Sequence, residues 1–406
     1  MSTCIVCAGQ DVSNFLDLGK TSLANKFLSQ EELSHEEPTF PLRVGFCRSC
    51  GHVQLMEHVP PSAMFDDYLY ISSMSDTLRD HLHGLASYVV KQFKLSARDL
   101  VVDIGSNDGT LLSGFKRHGV RTLGVDPAVN LSRLAQEKGI ETYIGYFGAV
   151  TARSLVTQYG NASVITSTNS FPHIPDLEDF MKGIDILLKP DGRLVIEAHY
   201  LMDLIAQNAF DTIYHEHVSY WALAPMSRLF GRHGFEIVNV ERLPIHHGQI
   251  RVTAARRGAY EVAASVNRRI QEEQEYGLGR FETYIRFADN ASQQRLELIA
   301  LLDRLVSSGA RVAGYGAPAK GNTLLTFLGL DVRRITYIAD RSPLKQNRYT
   351  PGTHIPVVAP DKILIDQPDY VLLLAWNFAE EIMQQLAEYR LRGGRFIIPV
   401  PKVSIV

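Results

Sequence analysis

Short runs of branched apolar residues alternate along this chain with segments whose apolar positions return every three or four residues. These are the periods of buried strand and amphipathic helix. The clearest case is Leu100-Val-Val-Asp-Ile104, which leads into Gly105-Ser-Asn-Asp-Gly109 and then into Leu111 and Leu112 at helical spacing. It reads as strand, glycine loop and helix, the first crossover of a doubly wound α/β unit with its ligand site at the strand's carboxyl end. A second strand, Thr122-Leu-Gly-Val-Asp126, ends in an acid. Next come a helix over Asn130–Lys138, a short strand into Thr142-Tyr-Ile-Gly-Tyr-Phe147, a helix over Ala149–Tyr159, and a strand from Ala162 ending in Asn169-Ser-Phe-Pro-His173. Helix Leu177–Leu188, strand Gly192–Glu197 with His199 just beyond, helix Pro225–His233, and strands Glu236–Val240 and Ile250–Ala255 complete the unit.

From about 261 to 308 the pattern is long, charged and amphipathic, predicting two helices that connect lobes, with a polar face that argues against a deep core. A second α/β unit opens at Arg311-Val-Ala-Gly314-Tyr-Gly316, with Gly321 ahead of helix Thr323–Leu328. Strands Arg334–Ala339, Tyr370–Ala375 and Arg395–Pro399 follow, the last closing the sheet. Residues 8–46 mix short apolar runs with Gly and Pro and are too small for a core of their own, and residues 52–95 bridge to the first α/β unit. The expected domains are 1–70, 71–260, a helical connector over 261–309, and 310–406.

At 406 residues the chain has room for two to three domains. Its net charge is −3, with acids and bases spread evenly, which points to neither nucleic acid nor a membrane surface as partner. The start lacks the basic and apolar regions of a signal peptide, and no apolar run reaches spanning length. The expectation is a cytoplasmic protein, and the fold points to a monomer.

Four cysteines change the picture at the N-terminus. Cys4-Ile-Val-Cys7 and Cys47-Arg-Ser-Cys50 are two Cys-x-x-Cys knuckles, the ligand set of one tetrahedral zinc. No ligand position is left open, so the zinc is structural, and it supplies folding energy that a small segment lacks. Two disulfides are disfavoured in a reducing compartment. Farther on, Phe65-Asp-Asp-Tyr68-Leu-Tyr70 is rich in aromatics and reads equally as a surface cover or as a lid. The densest ionisable cluster is Asp211-Thr-Ile-Tyr214-His-Glu-His217-Val-Ser-Tyr220. It reads as an acid–base apparatus, because histidine titrates near neutrality; the residues alone do not choose between His215 and His217. In the second unit the glycine loop, a helix start and Lys320 form a phosphate-type site, although the Gly-Lys-Ser/Thr order of a P-loop is missing. Polar or aromatic groups recur there beyond strand ends: Asp340-Arg341, Lys345, Trp376 and Asn377.

Asp103-x-Gly105-x-x-x-Gly109 followed by strand-terminal Asp126 resembles the S-adenosylmethionine (SAM) site of Rossmann-type methyltransferases. Its spacing departs from the Gly-x-Gly-x-x-Gly of dinucleotide binders, and Asp126 is placed to accept hydrogen bonds from a ribose. Taken end to end, the chain is similar to the sugar C-methyltransferases that act at C-3′ of nucleotide-linked 4-keto-deoxysugars. The motifs that carry this are the cysteine knuckles, Asp103-Ile-Gly-Ser-Asn-Asp-Gly109, Asn169-x-x-x-His173, Tyr214-His-Glu-His217 and Gly314-Tyr-Gly-Ala-Pro-Ala-Lys-Gly-Asn322. Asp340-Arg-x-x-x-Lys345-Gln and Pro351-Gly-Thr-His-Ile-Pro356 also fit.

The resemblance implies a zinc-bearing N-terminal domain, a central Rossmann-type SAM methyltransferase domain and a C-terminal Rossmann-like domain that holds the nucleotide sugar. It implies His217 as the base for the C-3′ proton, with Tyr214, Glu216 and His173 around the acceptor and Tyr68 closing the pocket. Asp103, Gly105, Asn107, Asp108, Asp126 and Asn169 would hold SAM. Tyr315, Lys320, Asn322, Asp340, Arg341, Lys345, Trp376 and Asn377 would hold the acceptor's nucleotide. His247-Gly-Gln-Ile-Arg251 departs from the family's His-Gly-Gly-Ser form, which bears on sugar or nucleotide preference (dTDP or GDP). Competing readings are an N- or O-methyltransferase on a nucleotide sugar and a non-catalytic nucleotide-sugar-binding module.

Overall fold

In the computed structural model, β1 (Val12–Thr21) pairs antiparallel with β2 (Phe40–Cys47), and β2 with β3 (Val53–Leu55). Residues 3–245 and 248–406 are described, so the sequence reading of His247 falls outside the described residues. The Cys-x-x-Cys knuckles bracket this meander, one just before β1 and the other at the turn into β3.

The central sheet is built on five parallel strands, β4 (Leu100–Ile104), β5 (Arg121–Asp126), β6 (Thr142–Ile144), β7 (Ala162–Thr168) and β8 (Leu188–His199). A two-residue strand, β9 (Ser219–Tyr220), follows, and then β10 (Phe235–Leu243) and β11 (Gln249–Arg256) extend the sheet antiparallel from β8. The order is β10-β11-β8-β7-β4-β5-β6. β4 lies between β5 and β7, where the winding reverses, and an open α/β sheet offers its ligand crevice there. All five residues of β4 are buried because helices cover both faces. Val101 faces the helices Asp76–Phe93 and Thr110–Arg117, while Val102 and Ile104 face helix Leu177–Leu187.

Much of the stretch read as a bridge over 52–95 is therefore a helix. Asp76–Phe93 is capped by Ser75 Oγ, which accepts from Leu78 N at 3.2 Å, and it buries Leu78, Leu82, Leu85, Ala86 and Val89 at helical spacing. It lies close against its neighbour because Gly114 has no side chain; a Cβ there would sit 2.8 Å from Ala86 Cβ.

β9 belongs to the other sheet. Val53 lies opposite Tyr220 and Gln54 opposite Ser219, so the N-terminal sheet runs β1-β2-β3-β9. The N-terminal meander thus takes its fourth strand from a segment within the central unit.

The connector corrects the sequence reading. It does form two helices, Ala264–Tyr276 and Phe281–Ser307, but the second is a spine of the common core rather than a polar strut. Tyr284, Phe287, Ala291, Leu298, Leu301, Leu302 and Leu305 form an inward stripe, diluted in sequence by the charged outer face. Tyr284 meets Phe46 and Phe15, with ring centroids 4.7 and 5.1 Å apart. Glu273, on the preceding helix, caps the start of helix Leu223–Arg232: its carboxylate accepts from Leu223 N at 2.8 Å and from the Tyr200 hydroxyl at 3.0 Å.

The C-terminal sheet contains β12 (Val312–Tyr315), β13 (Ile338–Ala339), β14 (Val357–Val358), β15 (Tyr370–Leu373), β16 (Arg395–Ile398) and β17 (Ser404–Ile405), in the order β14-β13-β12-β15-β16-β17. The strand expected over 334–339 pairs only at Ile338 and Ala339, and β17, antiparallel to β16, forms the edge where β16 was expected to close the sheet. No helix among the described residues is long and apolar enough to cross a membrane.

Candidate active site

A cavity of about 600 Å³ opens where the three units meet. One wall is the crevice at the ends of β4 and β5, a second carries the Tyr214–His217 loop, and the third comes from the C-terminal sheet.

The first wall is shaped by backbone. Gly105 has φ +72°, and a Cβ on it would lie 2.4 Å from Ser170 Cβ, so only glycine fits. Asp126 accepts from Asn107 N at 2.8 Å and from Ala128 N at 2.9 Å, which fixes its carboxylate at the cavity edge. Burial raises the Asp126 pKa, against the pull of these two N–H groups. Gly105, Asn107, Asp126 and Asn169 all line the cavity. Asn107 also ties down the segment read as lid or cover: its amide donates to the Tyr70 carbonyl at 3.0 Å and accepts from Ser72 N at 2.9 Å.

Two expected members of this wall lie behind it. Asp103 is buried and accepts from Thr166 Oγ1 at 2.7 Å, with burial pushing its pKa to about 7. Asp108 is fully buried, its carboxylate taken up by Lys138 Nζ and Thr110 Oγ1, each at 2.6 Å. Both shape the loop from beneath.

On the second wall, His217 Nδ1 lies 2.8 Å from the Thr212 carbonyl and Nε2 lies 2.8 Å from the Tyr214 hydroxyl. A carbonyl only accepts, so Nδ1 carries the proton, and Nε2 presents a lone pair to which Tyr214 donates. Burial, then His173 alongside, lowers the His217 pKa to about 3, so the imidazole rests neutral. His173 stacks on His217 at 5.2 Å and is backed by Phe65, also at 5.2 Å. His215 is turned away, its Nε2 donating to the Pro41 carbonyl at 3.2 Å, and it does not line the cavity.

Glu216 is set one layer back. The Tyr68 hydroxyl donates to it at 2.6 Å and Asn25 Nδ2 at 2.7 Å, and these two side chains line the cavity in its place. Burial raises its pKa to about 7 in spite of both bonds. Asn25 and Thr212 carried no signal in sequence; they matter through bonds that only the fold creates.

On the third wall, Lys320, Asp340, Lys345, Trp376 and Asn377 face the cavity. Asp340 braces the glycine loop by accepting from Ala317 N at 2.6 Å and from Ser342 N at 2.7 Å. Three expected residues do not face it. Tyr315 is buried in the sheet core with Ile363 and Tyr389. Asn322 points to the N-terminal unit, donating to the Ala24 carbonyl at 2.7 Å. Arg341 lies exposed beside Glu381, 4.0 Å away.

At the far side of β2, the Sγ atoms of Cys4, Cys7, Cys47 and Cys50 lie within 4.8 Å of one another, with Cys4–Cys50 and Cys7–Cys47 both at 3.6 Å. Four thiolates about 2.3 Å from one metal sit roughly 3.8 Å apart, whereas a disulfide brings sulfurs to about 2 Å. The cluster fits zinc.

Family models match the chain in three successive pieces: a zinc binding domain over residues 4–65, a methyltransferase domain over 72–240, and a C-methyltransferase C-terminal domain over 244–401. Fold, cysteine cluster and these matches define a SAM-dependent methyltransferase with a structural zinc domain. The C-methyltransferase NovU of Streptomyces niveus is 38% identical over 404 residues, covering 99% of this chain and 96% of that protein. The uncharacterized methyltransferase YcgJ of Bacillus subtilis is 29% identical over 116 residues, covering 28% of this chain and 45% of that one. Its crystal structure aligns at 19% identity and a TM-score of 0.36 over 44% of this chain and all of that one. The chain belongs to the C-methyltransferase family of NovU.

Proposed function

We propose that the enzyme methylates carbon next to a ketone, at C-3′ of a nucleotide-linked 4-keto-6-deoxysugar, through an enolate raised by His217. The observation that carries this is the fixed tautomer of His217: a neutral imidazole with its lone pair turned toward the Tyr214 hydroxyl in a cavity that also reaches Gly105 and Asp126. A base is what a carbon acceptor needs and an amine does not, since a C–H bond has no lone pair to offer until its proton is removed.

The residues divide the work by wall. Gly105, Asn107, Asp126 and Asn169 hold SAM, with Asp103 and Asp108 supporting the loop from behind. When bound, SAM supplies a sulfonium methyl as electrophile for the carbanion. Tyr68 closes over the acceptor, held by Glu216; His173 flattens the pocket beside the base; Lys345, Asp340, Trp376 and Asn377 take the nucleotide side. Asn377 Oδ1 is buried without a partner, as suits an acceptor meant for a ligand.

The test is direct. The enzyme is incubated with SAM and dTDP- or GDP-linked 4-keto-6-deoxyhexoses, and products are read by mass spectrometry and NMR. The expected product carries one methyl on C-3′, and the C-3′ proton exchanges with D₂O when S-adenosylhomocysteine replaces SAM. A methyl on oxygen or nitrogen refutes the reading. A methyl on C-5′, the other carbon beside the ketone, keeps the chemistry and refutes the position.

A further inference from the structure

Removing a proton beside a ketone sends an electron pair to the ketone oxygen, and in a buried cavity that oxygen needs a charged donor placed in advance. Among the described residues, the Lys and Arg side chains on the cavity wall are Lys320 and Lys345. They are not equivalent. Lys345 Nζ is committed to the Ala317 carbonyl at 2.8 Å, and the nearest acids to it are Asp340 and Glu216.

Among the described residues, Lys320 has no protein acceptor within hydrogen-bond reach. Its ammonium stands 4.0 Å from the centre of the Trp376 ring. The indole is itself anchored: Nε1 donates to Asp211 Oδ2 at 2.6 Å, and Asp211 is fully buried with Oδ1 unpartnered. No ion pair joins Lys320 to Asp211, so the indole holds the ammonium by its face and leaves its N–H groups to the cavity. Asp211 immediately precedes Thr212, whose carbonyl fixes His217. One short segment therefore sets both the base and the support of the cation.

We propose that Lys320 is a catalytic residue that donates a hydrogen bond to the substrate's C-4′ oxygen as the neighbouring C–H bond breaks, rather than a phosphate ligand. This rests on the function proposed above. The C–H pair becomes the carbon–carbon π bond of the enolate, the carbonyl π pair moves to oxygen beside Lys320, and the proton goes to His217 Nε2. When the carbon–carbon π pair takes the methyl from SAM, the sulfur–methyl bond breaks with its pair staying on the departing S-adenosylhomocysteine, the oxygen pair returns to re-form the ketone, and Lys320 is unchanged. Burial lowers the Lys320 pKa to about 8, opposed by Asp211, which leaves it mostly charged at neutral pH.

The experiment compares full-length wild type with Lys320→Met and Lys320→Arg. Deuterium exchange at the α-carbon is measured at saturating keto-sugar nucleotide in the presence of S-adenosylhomocysteine, alongside the Kd of that nucleotide. In Lys320→Met, saturated exchange is expected to fall about 10²–10³-fold, the usual loss for one oxyanion donor. Its Kd should stay within about threefold of wild type, since the contact forms only as charge develops. Lys320→Arg should recover part of the rate, and Lys320→Gln serves if the Met variant does not fold. Unchanged saturated exchange, or a loss confined to Kd as a phosphate ligand predicts, overturns the role. Absence of both exchange and methylation in wild type instead brings down the parent function, and the role with it.

Discussion

His217→Asn is the sharpest test of the site. The asparagine amide can still donate to the Thr212 carbonyl, so the loop keeps its bond, but no lone pair of useful basicity faces the acceptor. Removing a general base lowers the rate about 10²–10⁴-fold. The structure argues for the upper half of that range. Glu216, the carboxylate next to it in the chain, is taken up by Tyr68 and Asn25, and His173, the neighbouring imidazole, is stacked between the rings of Phe65 and His217. A loss of about 10³–10⁴ corresponds to about 4–5 kcal/mol of transition-state stabilisation. SAM affinity should not change, because Gly105 and Asp126 stand on a different wall. Tyr214→Phe is the contrast. Thr212 still fixes the tautomer, so only one hydrogen bond is lost, worth about 1 kcal/mol or roughly tenfold or less. Single-turnover methyl transfer and calorimetric SAM binding decide the matter. If His217→Asn stays within tenfold of wild type, or Tyr214→Phe is the more damaged of the two, the imidazole is not the base.

Other outcomes follow from features away from the base. Stripping zinc with a chelator, or replacing Cys47 with serine, should expose the N-terminal segment to protease and abolish methyl transfer while SAM still binds; retained turnover would show that the zinc unit does not build the site. Gly105→Ala should weaken SAM binding about 5–150-fold or more in a calorimetric titration, from about 1–3 kcal/mol of backbone strain plus the contact with Ser170; unaltered affinity would remove the loop from the SAM site. Glu273→Ala leaves Leu223 N without its acceptor and the Tyr200 hydroxyl with only the weak Met202 sulfur, a loss of about 1–3 kcal/mol for the first and less for the second. A urea titration should show it far less stable than Glu275→Ala, which alters an exposed residue, and equal midpoints would deny the cap.

Legibility in the sequence followed the range of the interaction. The β4–loop–helix unit and the cysteine knuckles could be read because each is local: a strand, a turn that needs glycine, ligands at fixed spacing. The Tyr214–His217 cluster stood out by density, but its residues told nothing of direction. His215 and His217 point to opposite sides because one carbonyl comes from Pro41 and the other from Thr212. The same limit explains the third wall. Lys320 and Asn322 are two positions apart on helix Ala319–Leu328, hence about 200° apart around it, so one reaches the cavity and the other Ala24. Tyr315 sits on a strand, and the face it buries is set by its partners. The stripe of helix Phe281–Ser307 was present in the sequence, but charge on the outer face masked it. Strand β9 is too short to carry any periodicity at all.

That two-residue strand limits how this enzyme can be recombined with its relatives. A chimaera cut between the N-terminal unit and the rest would look modular on paper. It would sever the Val53–Tyr220 and Gln54–Ser219 pairs and leave Asn25 and Tyr68 from one parent to meet Glu216 from another. The natural crossover unit is discontinuous: residues 1–70 must travel with 214–220, and swaps made elsewhere would inherit a misaligned pocket whatever donor they came from.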